Sequence, residues 1–404
     1  MASLHPFRAL RPAPAAAARV AAVPYDVVST EEARALAAAN PLSFLHVSRA
    51  EIDLPPGTNP YADAVYTKAV ENFETLEQRA PLEVEENASL YVYRLRMGSH
   101  VQTGIAGGFA IDEYERGVIR KHEHTRADKE DDRTRHMLAI RAQTGLVFLT
   151  HRAAPAVEAI AERATTGSPL FDFTAPDAVR HTIWRLDGRA ADDLVAAFAA
   201  IPALYIADGH HRAASAARAR QHLRGTSGTP GPWDVVLAVA FPAHQMQILP
   251  YNRVVKDLGS HTPETLRAAL GGTFRVDEGG GTPGRGEVAM FLGDRWYTVR
   301  LGEPPAHLSA PERLDVSRLQ AEVLAPLLGI GDVRSDKRID FVGGGRGTRE
   351  LESTVRDGRA AVAFALHPVR IEDLMAVCDA GGIMPPKSTW FEPKLRDGLL
   401  SHLL

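Results

Sequence analysis

The chain has 404 residues, 45% of them hydrophobic and 24% charged, and a formal net charge of −4. That is the balance of a globular protein of two or three domains, and its acidic sign argues against a protein that coats nucleic acid. A single cysteine, Cys378, excludes an intrachain disulfide framework, a four-cysteine zinc site and a dithiol redox pair. No apolar run is long enough to span a membrane. The segment Met1 to Val20 carries Arg8, Arg11 and Arg19 but no apolar core, so it does not read as a secretory signal, and the expected location is the cytoplasm.

In chain order, a short apolar stretch from Arg19 to Val23 leads into the loop Pro24-Tyr25-Asp26-Val27-Val28. Ser29 or Thr30 caps a helix reaching about Asn40, with Glu31 and Glu32 in its first turn. Leu42 to Val47 reads as a strand. Tyr61 to Gln78 reads as an amphipathic helix with Ala64, Val65, Ala69, Phe73 and Leu76 on one side. Ser89 to Met97 and Thr103 to Ile111 form a hairpin around Gly98-Ser99. A polar block from Arg120 to Arg135 is followed by a helix from about Thr134 to Gln143 and a strand, Leu146 to Thr150. A helix (Ala153 to Ala164), a strand (His181 to Leu186) and a helix (Ala190 to Ile201) come next. The apolar run Ala203 to Ala207 enters Asp208-Gly209-His210-His211-Arg212, and a helical run from Ala213 to Arg220 leaves it. A Gly/Ser/Pro linker spans Gly225 to Pro232. Val235 to Phe241 and Gln245 to Val255 read as a buried strand pair. Beyond them lie a helix near Pro263 to Ala269, a hairpin turning at Gly293-Asp294, and a helix from Val316 to Leu328. A short strand, Phe341-Val342, a helix from Thr348 to Asp357, a strand from Ala360 to Leu366 and a helix from Ile371 to Ala380 complete the pass. Strands and helices mix irregularly, which predicts an α+β fold with a mixed sheet, divided as residues 1–255 and 256–404.

Asp208 to Arg212 is the densest chemistry in the chain. A helix start has free backbone N–H groups and the positive end of the helix dipole, so it attracts anions. Gly209 lets a ligand approach the backbone, Arg212 can fork onto a phosphate or carboxylate, and Asp208 can cap the helix or hold a metal ion. The plain alternative is a capping aspartate followed by solvated side chains. A second site is Lys121-His122-Glu123-His124-Thr125, with Lys129, Asp132 and Arg133. On a strand His122 and His124 would share a face and could bind zinc, although no third ligand is set by spacing. The cations could equally hold a phosphate with Glu123 or Asp132 as base or magnesium ligand, or the block could be a solvated charged loop.

Asp26, following a short apolar stretch, is a candidate base or metal ligand and equally an ordinary turn residue. Met384 to Lys394 places Lys387, Lys394, Trp390 and Phe391 in a proline-framed tail that could close over an anionic ligand or pin the C-terminus to the core. The glycine runs at Gly279 and Gly343 lack P-loop and dinucleotide spacing. Cys378 falls in an apolar helix and reads as core.

Together these residues resemble domain-of-unknown-function family 1015, a bacterial and archaeal family. The motifs run nearly end to end: Pro24-Tyr25-Asp26-Val27, Asn40-Pro41 with Phe44-Leu45, His122-Glu123 with Thr125, Lys129 with Asp132-Arg133, Asp208 to Arg212, Asn252-Arg253-Val254, and Met384 to Thr389. The Gly-His-His-Arg turn is also similar to the phosphate-binding Gly-x-His-Arg turn of the ParB/sulfiredoxin superfamily, which includes CTP-binding partition proteins, sulfiredoxin and free-serine kinases. That carry-over lands on Gly209, His211 and Arg212. The chain departs from sulfiredoxin in having no cysteine near the turn, and from partition proteins in showing no DNA-binding helical domain or basic surface.

The resemblance implies a ParB/sulfiredoxin-like nucleotide-binding core, with the remainder a C-terminal α/β domain. It implies an ATP- or ADP-dependent, Mg2+-assisted kinase of a small hydroxylated metabolite, with free L-serine as leading acceptor. Gly209, His210, His211 and Arg212 would cradle phosphates and Asp208 would hold Mg2+. Asp26 or Glu123 would take the hydroxyl proton, with His210 beside them among the catalytic candidates, and Lys129, Arg133 and Lys387 would offset charge. A nucleotide and the metabolite are the expected partners, a homodimer is compatible with the chain, and neither a membrane nor nucleic acid is expected. Two other readings stand beside this one: a nucleotide-sensing module without turnover, and a metal-dependent hydrolase built on His122, His124, His210 and His211.

Overall fold

The computed structural model describes residues 1–225 and 228–404; Thr226 and Ser227 of the linker expected at Gly225 to Pro232 lie outside the described residues. The chain divides into two compact units. Residues 1–246 and 393–404 form the first, and residues 247–392 form the second.

The first unit is built on a mixed sheet. Its strands are β1 (Leu4–His5), β2 (Leu90–Met97), β3 (His100–Ala110), β4 (Ile119–Arg120), β5 (Val147–His151), β6 (Phe171–Thr174), β7 (Arg180–Leu186), β8 (Leu204–Asp208) and β9 (Val235–Pro242). They lie in the order β4-β8-β5-β9-β3-β2-β7-β6, with β1 added on β3. β4–β8 and β5–β9 pair in parallel and the other neighbours antiparallel. β2 and β3 join at Gly98-Ser99 as expected, with Met97 opposite His100. Four helices matter for the site: α1 (Thr30–Ala37), α2 (Asp63–Arg79), α3 (Ala127–Ile140) and α4 (His210–Arg224). One hydrophobic core gathers Val92, Ile105, Phe109, Leu149, Phe198 and Ile206. A second, around Phe44, Phe73 and Leu76, holds α1 and α2.

Local signals are realised where their partners are local. α1 begins with a reciprocal capping box, in which Ser29 Oγ accepts from the Glu32 amide while Glu32 accepts from the Ser29 amide. α2 buries Val65, Ala69, Phe73 and Leu76 as its period requires, but its fifth buried residue is Tyr66, whose hydroxyl donates to Asp132, rather than Ala64. Cys378 is buried in a helix, Ile371–Asp379.

Three expectations differ. The expected strand over Leu42 to Val47 is a turn followed by a short helix, Leu45–Ser48. Asn40 Oδ1 and Ser43 Oγ accept from the Leu42 and Leu45 amides and offer the backbone local partners that a strand would not use. A run buried on every side also carries no period to distinguish the two. The polar block does not precede a helix but forms its first turns: α3 starts at Ala127, with Asp128 and Glu130 suited to the positive end of its dipole. The expected pair of Val235 to Phe241 with Gln245 to Val255 does not form. β9 pairs with β3 and β5, whereas Gln247–Leu249 pairs with Trp390–Glu392 and Tyr251–Val255 enters the sheet of the second unit. The chain read as dividing at 255/256 therefore leaves the first unit after Met246, and its tail returns there from Pro393.

In the second unit β10 (Tyr251–Val255), β11 (Arg275–Glu278), β12 (Glu287–Leu292), β13 (Arg295–Arg300), β14 (Ile339–Gly343) and β15 (Val362–Leu366) form an antiparallel sheet in the order β11-β13-β12-β15-β10-β14. The architecture is α+β. No helix among the described residues is long and apolar enough to cross a membrane.

The returning tail is held tightly. Asp397 and Ala22 exchange backbone hydrogen bonds of 3.1 and 2.9 Å. Gly398 has φ +84°, and a Cβ there would lie 2.6 Å from Cδ2 of the buried Phe44 ring. Gly398→Ala is expected to lower stability by about 1–3 kcal/mol for the backbone conformation alone, with the ring clash added. A thermal melt that matches the wild type would contradict this account of the tail.

Candidate functional site

β8 is buried along most of its length between β4 and β5, and its register with β5 shifts between Ile206 and Asp208. Gly209 follows with φ +94°, a left-handed conformation that side chains rarely adopt. A Cβ here would also approach Arg212 Nη1 at 3.2 Å and the Val147 Cα at 3.4 Å. α4 then starts at His210 with no capping side chain, and its first backbone bond runs from the Ala213 amide to the Gly209 carbonyl, 3.0 Å. The first-turn amides and the helix dipole are thus presented at a glycine turn, the arrangement that receives anions.

Arg212 does not reach outward. Its guanidinium is buried behind the turn, where Nη1 donates to the Leu146 carbonyl and Nη2 to Asp26 (3.3 Å) and Asp208 (3.3 Å). Lys394 Nζ donates to Asp208 at 3.4 Å. Burial opposes the charge on Arg212, but Asp26, Asp208 and Asp397 outweigh it and hold the guanidinium above its ordinary pKa. Burial would likewise raise the Asp208 carboxyl. Lys394 and Arg212 overcome this and hold it well below the usual carboxylate range. Both aspartates keep part of their surface open, 33% of the Asp26 side chain and 27% of the Asp208 side chain. Asp397 is different: fully enclosed, it is pushed up to about 7, first by burial, with Arg212 pulling against this and Asp26 adding to it. It borders a cavity of about 40 Å³ that Tyr25, Ser48, Arg133, His136 and Arg212 also line.

On the other side of the turn the segment 121–126 crosses the start of α4. The His122 and His210 rings meet edge to face, 4.4 Å apart at 88°. Burial pushes His122 down to about 4; burial and then His122 push His210 well below its ordinary value. Glu123 Oε2 lies 3.9 Å from His210 Nδ1. His211 Nε2 accepts from the Arg126 amide at 3.1 Å. His124 is exposed, so the same-face pairing of His122 and His124 is not formed, because the segment is irregular rather than a strand.

Of the remaining candidates, Lys129 Nζ donates to the Tyr61 hydroxyl at 2.7 Å. Arg133 pairs with Asp132 at 2.8 Å, donates to the Ser48 carbonyl and lies 4.2 Å over the Tyr25 ring. Lys387 belongs to the second unit, where its carbonyl accepts from Arg253 and its ammonium lies 5.7 Å from the Tyr251 ring. The structure thus assembles Asp26, Asp208, Gly209, His210, Arg212, His122 and Glu123, and adds Lys394 and Asp397. Lys394 was visible as a tail lysine without an address. Asp397, in Leu395-Arg396-Asp397-Gly398, carried no signal, because its meaning comes entirely from burial.

A family profile described as "Protein of unknown function (DUF1015)" matches residues 4–317. No curated protein matches the chain. Among solved structures, a conserved hypothetical protein from Pyrococcus furiosus is 15% identical, with 73% of this chain and 94% of that chain covered at a TM-score of 0.37. A free serine kinase in complex with AMP is 13% identical, with coverage of 73% and 92% and a TM-score of 0.37. SbnI with a C-terminal truncation, from Staphylococcus aureus, is 13% identical, with coverage of 72% and 85% and a TM-score of 0.37.

Proposed function

The chain belongs to the DUF1015 family, and we propose that its first unit is a nucleotide-dependent phosphotransferase acting on the hydroxyl of a small metabolite, with free L-serine the first acceptor to test. One observation carries this reading. Asp26 and Asp208, 182 positions apart in the chain, converge on one guanidinium nitrogen of Arg212 beside the uncapped, glycine-entered start of α4. Phosphoryl transfer needs little covalent chemistry from the protein; it needs phosphate oxygens held, charge neutralised and the hydroxyl aligned.

The first-turn amides of α4 bind the phosphate oxygens, and Gly209 admits them to the backbone. Arg212 is a positioning residue: from behind the turn it sets both carboxylates. Asp208, with oxygen donors and part of its surface open, suits a hard cation and would hold Mg2+, which supplies charge neutralisation on the phosphates when bound. Lys394 adds a positive charge at Asp208. The phosphorus–oxygen bond to the nucleotide breaks, a bond to the acceptor oxygen forms, and the Asp26 carboxylate takes the hydroxyl proton. The ParB/sulfiredoxin-like core is part of the same reading.

Incubation of the full chain with ATP or ADP, Mg2+ and a panel of hydroxylated amino acids and small alcohols, followed by phosphorus NMR, is expected to show a phosphomonoester. Asp208→Asn is expected to weaken nucleotide binding in the presence of Mg2+ about tenfold, the loss of one charge-assisted contact. No product and no thermal shift with any nucleotide would overturn the reading.

A further inference from the structure

The phosphate chemistry leaves a buried imidazole beside the turn unused. His122 is 2% exposed, and its Nδ1 has no hydrogen-bond partner. The nearby Ile206 carbonyl favours a proton on the ring, against the burial that disfavours it. A buried ring nitrogen without a hydrogen-bond partner is costly in a folded protein.

The neighbours of that nitrogen are donors of the right kind. His210 is 5% exposed and weakly engaged: its Nε2 receives the His122 amide at 3.4 Å, and its Nδ1 stands 3.9 Å from Glu123, beyond hydrogen-bond reach. One ligand atom from each of His122, Glu123 and His210 lies within 4.8 Å of the others. Around a tetrahedral zinc ion, ligand atoms stand about 3.3 Å apart, given bonds near 2 Å.

We propose that His122, Glu123 and His210 form a binding site for a first-row divalent transition ion of the zinc class. Two imidazoles and one carboxylate favour such an ion over Mg2+ or Ca2+, which take oxygen ligands. Three protein ligands leave a fourth position open, as in catalytic rather than structural zinc sites. Glu123 in the set, and Asp208 acting on both imidazoles, offset the ion's charge. The site replaces the four-histidine set read from the sequence: His124 is exposed and His211 is engaged by the Arg126 amide. His210 is also the first residue of α4. The site does not depend on the nucleotide reading.

The test uses the full chain, freed of metal by chelator and dialysis, titrated with Zn2+ alone in the absence of nucleotide. One equivalent is expected to bind. Co2+ in its place is expected to give the visible absorption of a low-coordinate site. Glu123→Gln, at a partly exposed position, and His210→Ala are each expected to weaken Zn2+ at least about tenfold, since even outer partners of a bound metal contribute that much. Absence of stoichiometric Zn2+ binding, or unchanged affinity in Glu123→Gln, would overturn the proposal. A nucleotide-induced thermal shift without Zn2+ binding overturns this site alone. Zn2+ binding with no nucleotide response and no product overturns the phosphotransfer reading alone.

Discussion

Arg212→Ala is expected to be the most destabilising single substitution at the turn, costing about 3–5 kcal/mol, the range for removing one partner of a buried charge cluster. Three carboxylates face that guanidinium: Asp26 and Asp208 by hydrogen bond, Asp397 through the field. Alanine would leave them facing one another without the cation between them, would leave the Leu146 carbonyl without its donor, and would open a cavity below Gly209. Arg212→Lys keeps the charge but cannot reach the carbonyl and both carboxylates with one planar fork, so it is expected to recover only part of the loss. Urea denaturation of the three proteins reads this directly. A loss below about 1 kcal/mol in Arg212→Ala would mean that the carboxylates are not held by this residue.

Asp397→Asn is expected to act in the opposite direction and only above acidic pH. An unfolded aspartate titrates near 3.9, whereas in the folded protein Asp397 is raised to about 7. Between these values the folded chain keeps a proton that the unfolded chain has released. The contribution of Asp397 is therefore fully present below about pH 4 and is lost as pH rises to about 7. Asparagine is neutral throughout, so the variant should match the wild type near pH 4 and exceed it by a few kcal/mol above pH 7, at about 1.4 kcal/mol for each pH unit that separates the folded and unfolded titrations. His122 and His136, both lowered to about 4, add stability as pH rises through the same window. They are present in both proteins and cancel in the difference. Thermal melts of the pair from pH 4 to pH 8 give the curve, and a pH-independent difference would show that Asp397 does not carry the proton.

Much of the site was legible in the chain because its signals are short-range. An apolar run ending in Asp208-Gly209 and followed by alanines reads as strand, turn and helix, since each step depends on neighbours only. The same holds for the Ser29 capping box and the Gly98-Ser99 hairpin. Asp26 and Glu123 were candidates by residue type, and both stand beside the turn. The Arg120 to Arg135 block misled for a related reason: charge density looks like a solvated loop until α4 lies against it, where Ser215 bonds the Glu130 carbonyl and Arg218 pairs with Asp131. Helices made of charged residues need a partner that the local pattern does not name.

By itself the sequence determined the family, the α+β class, the strand–turn–helix form of the Asp208 to Arg212 junction, and, with one cysteine, the exclusion of an intrachain disulfide. These rest on composition and on contacts within a few residues, which the chain specifies without reference to the rest of the fold. Only the tertiary structure decided which way Arg212 points, that a tail aspartate would be enclosed and its carboxyl pushed up by burial, that Lys394 would meet Asp208, and that His122 rather than His124 would face His210. Each of those outcomes is set by desolvation and by the approach of residues roughly a hundred or more positions apart in most cases. Burial converts an ordinary arginine into the clamp of two carboxylates and leaves a histidine nitrogen without a partner, and no local spacing encodes burial.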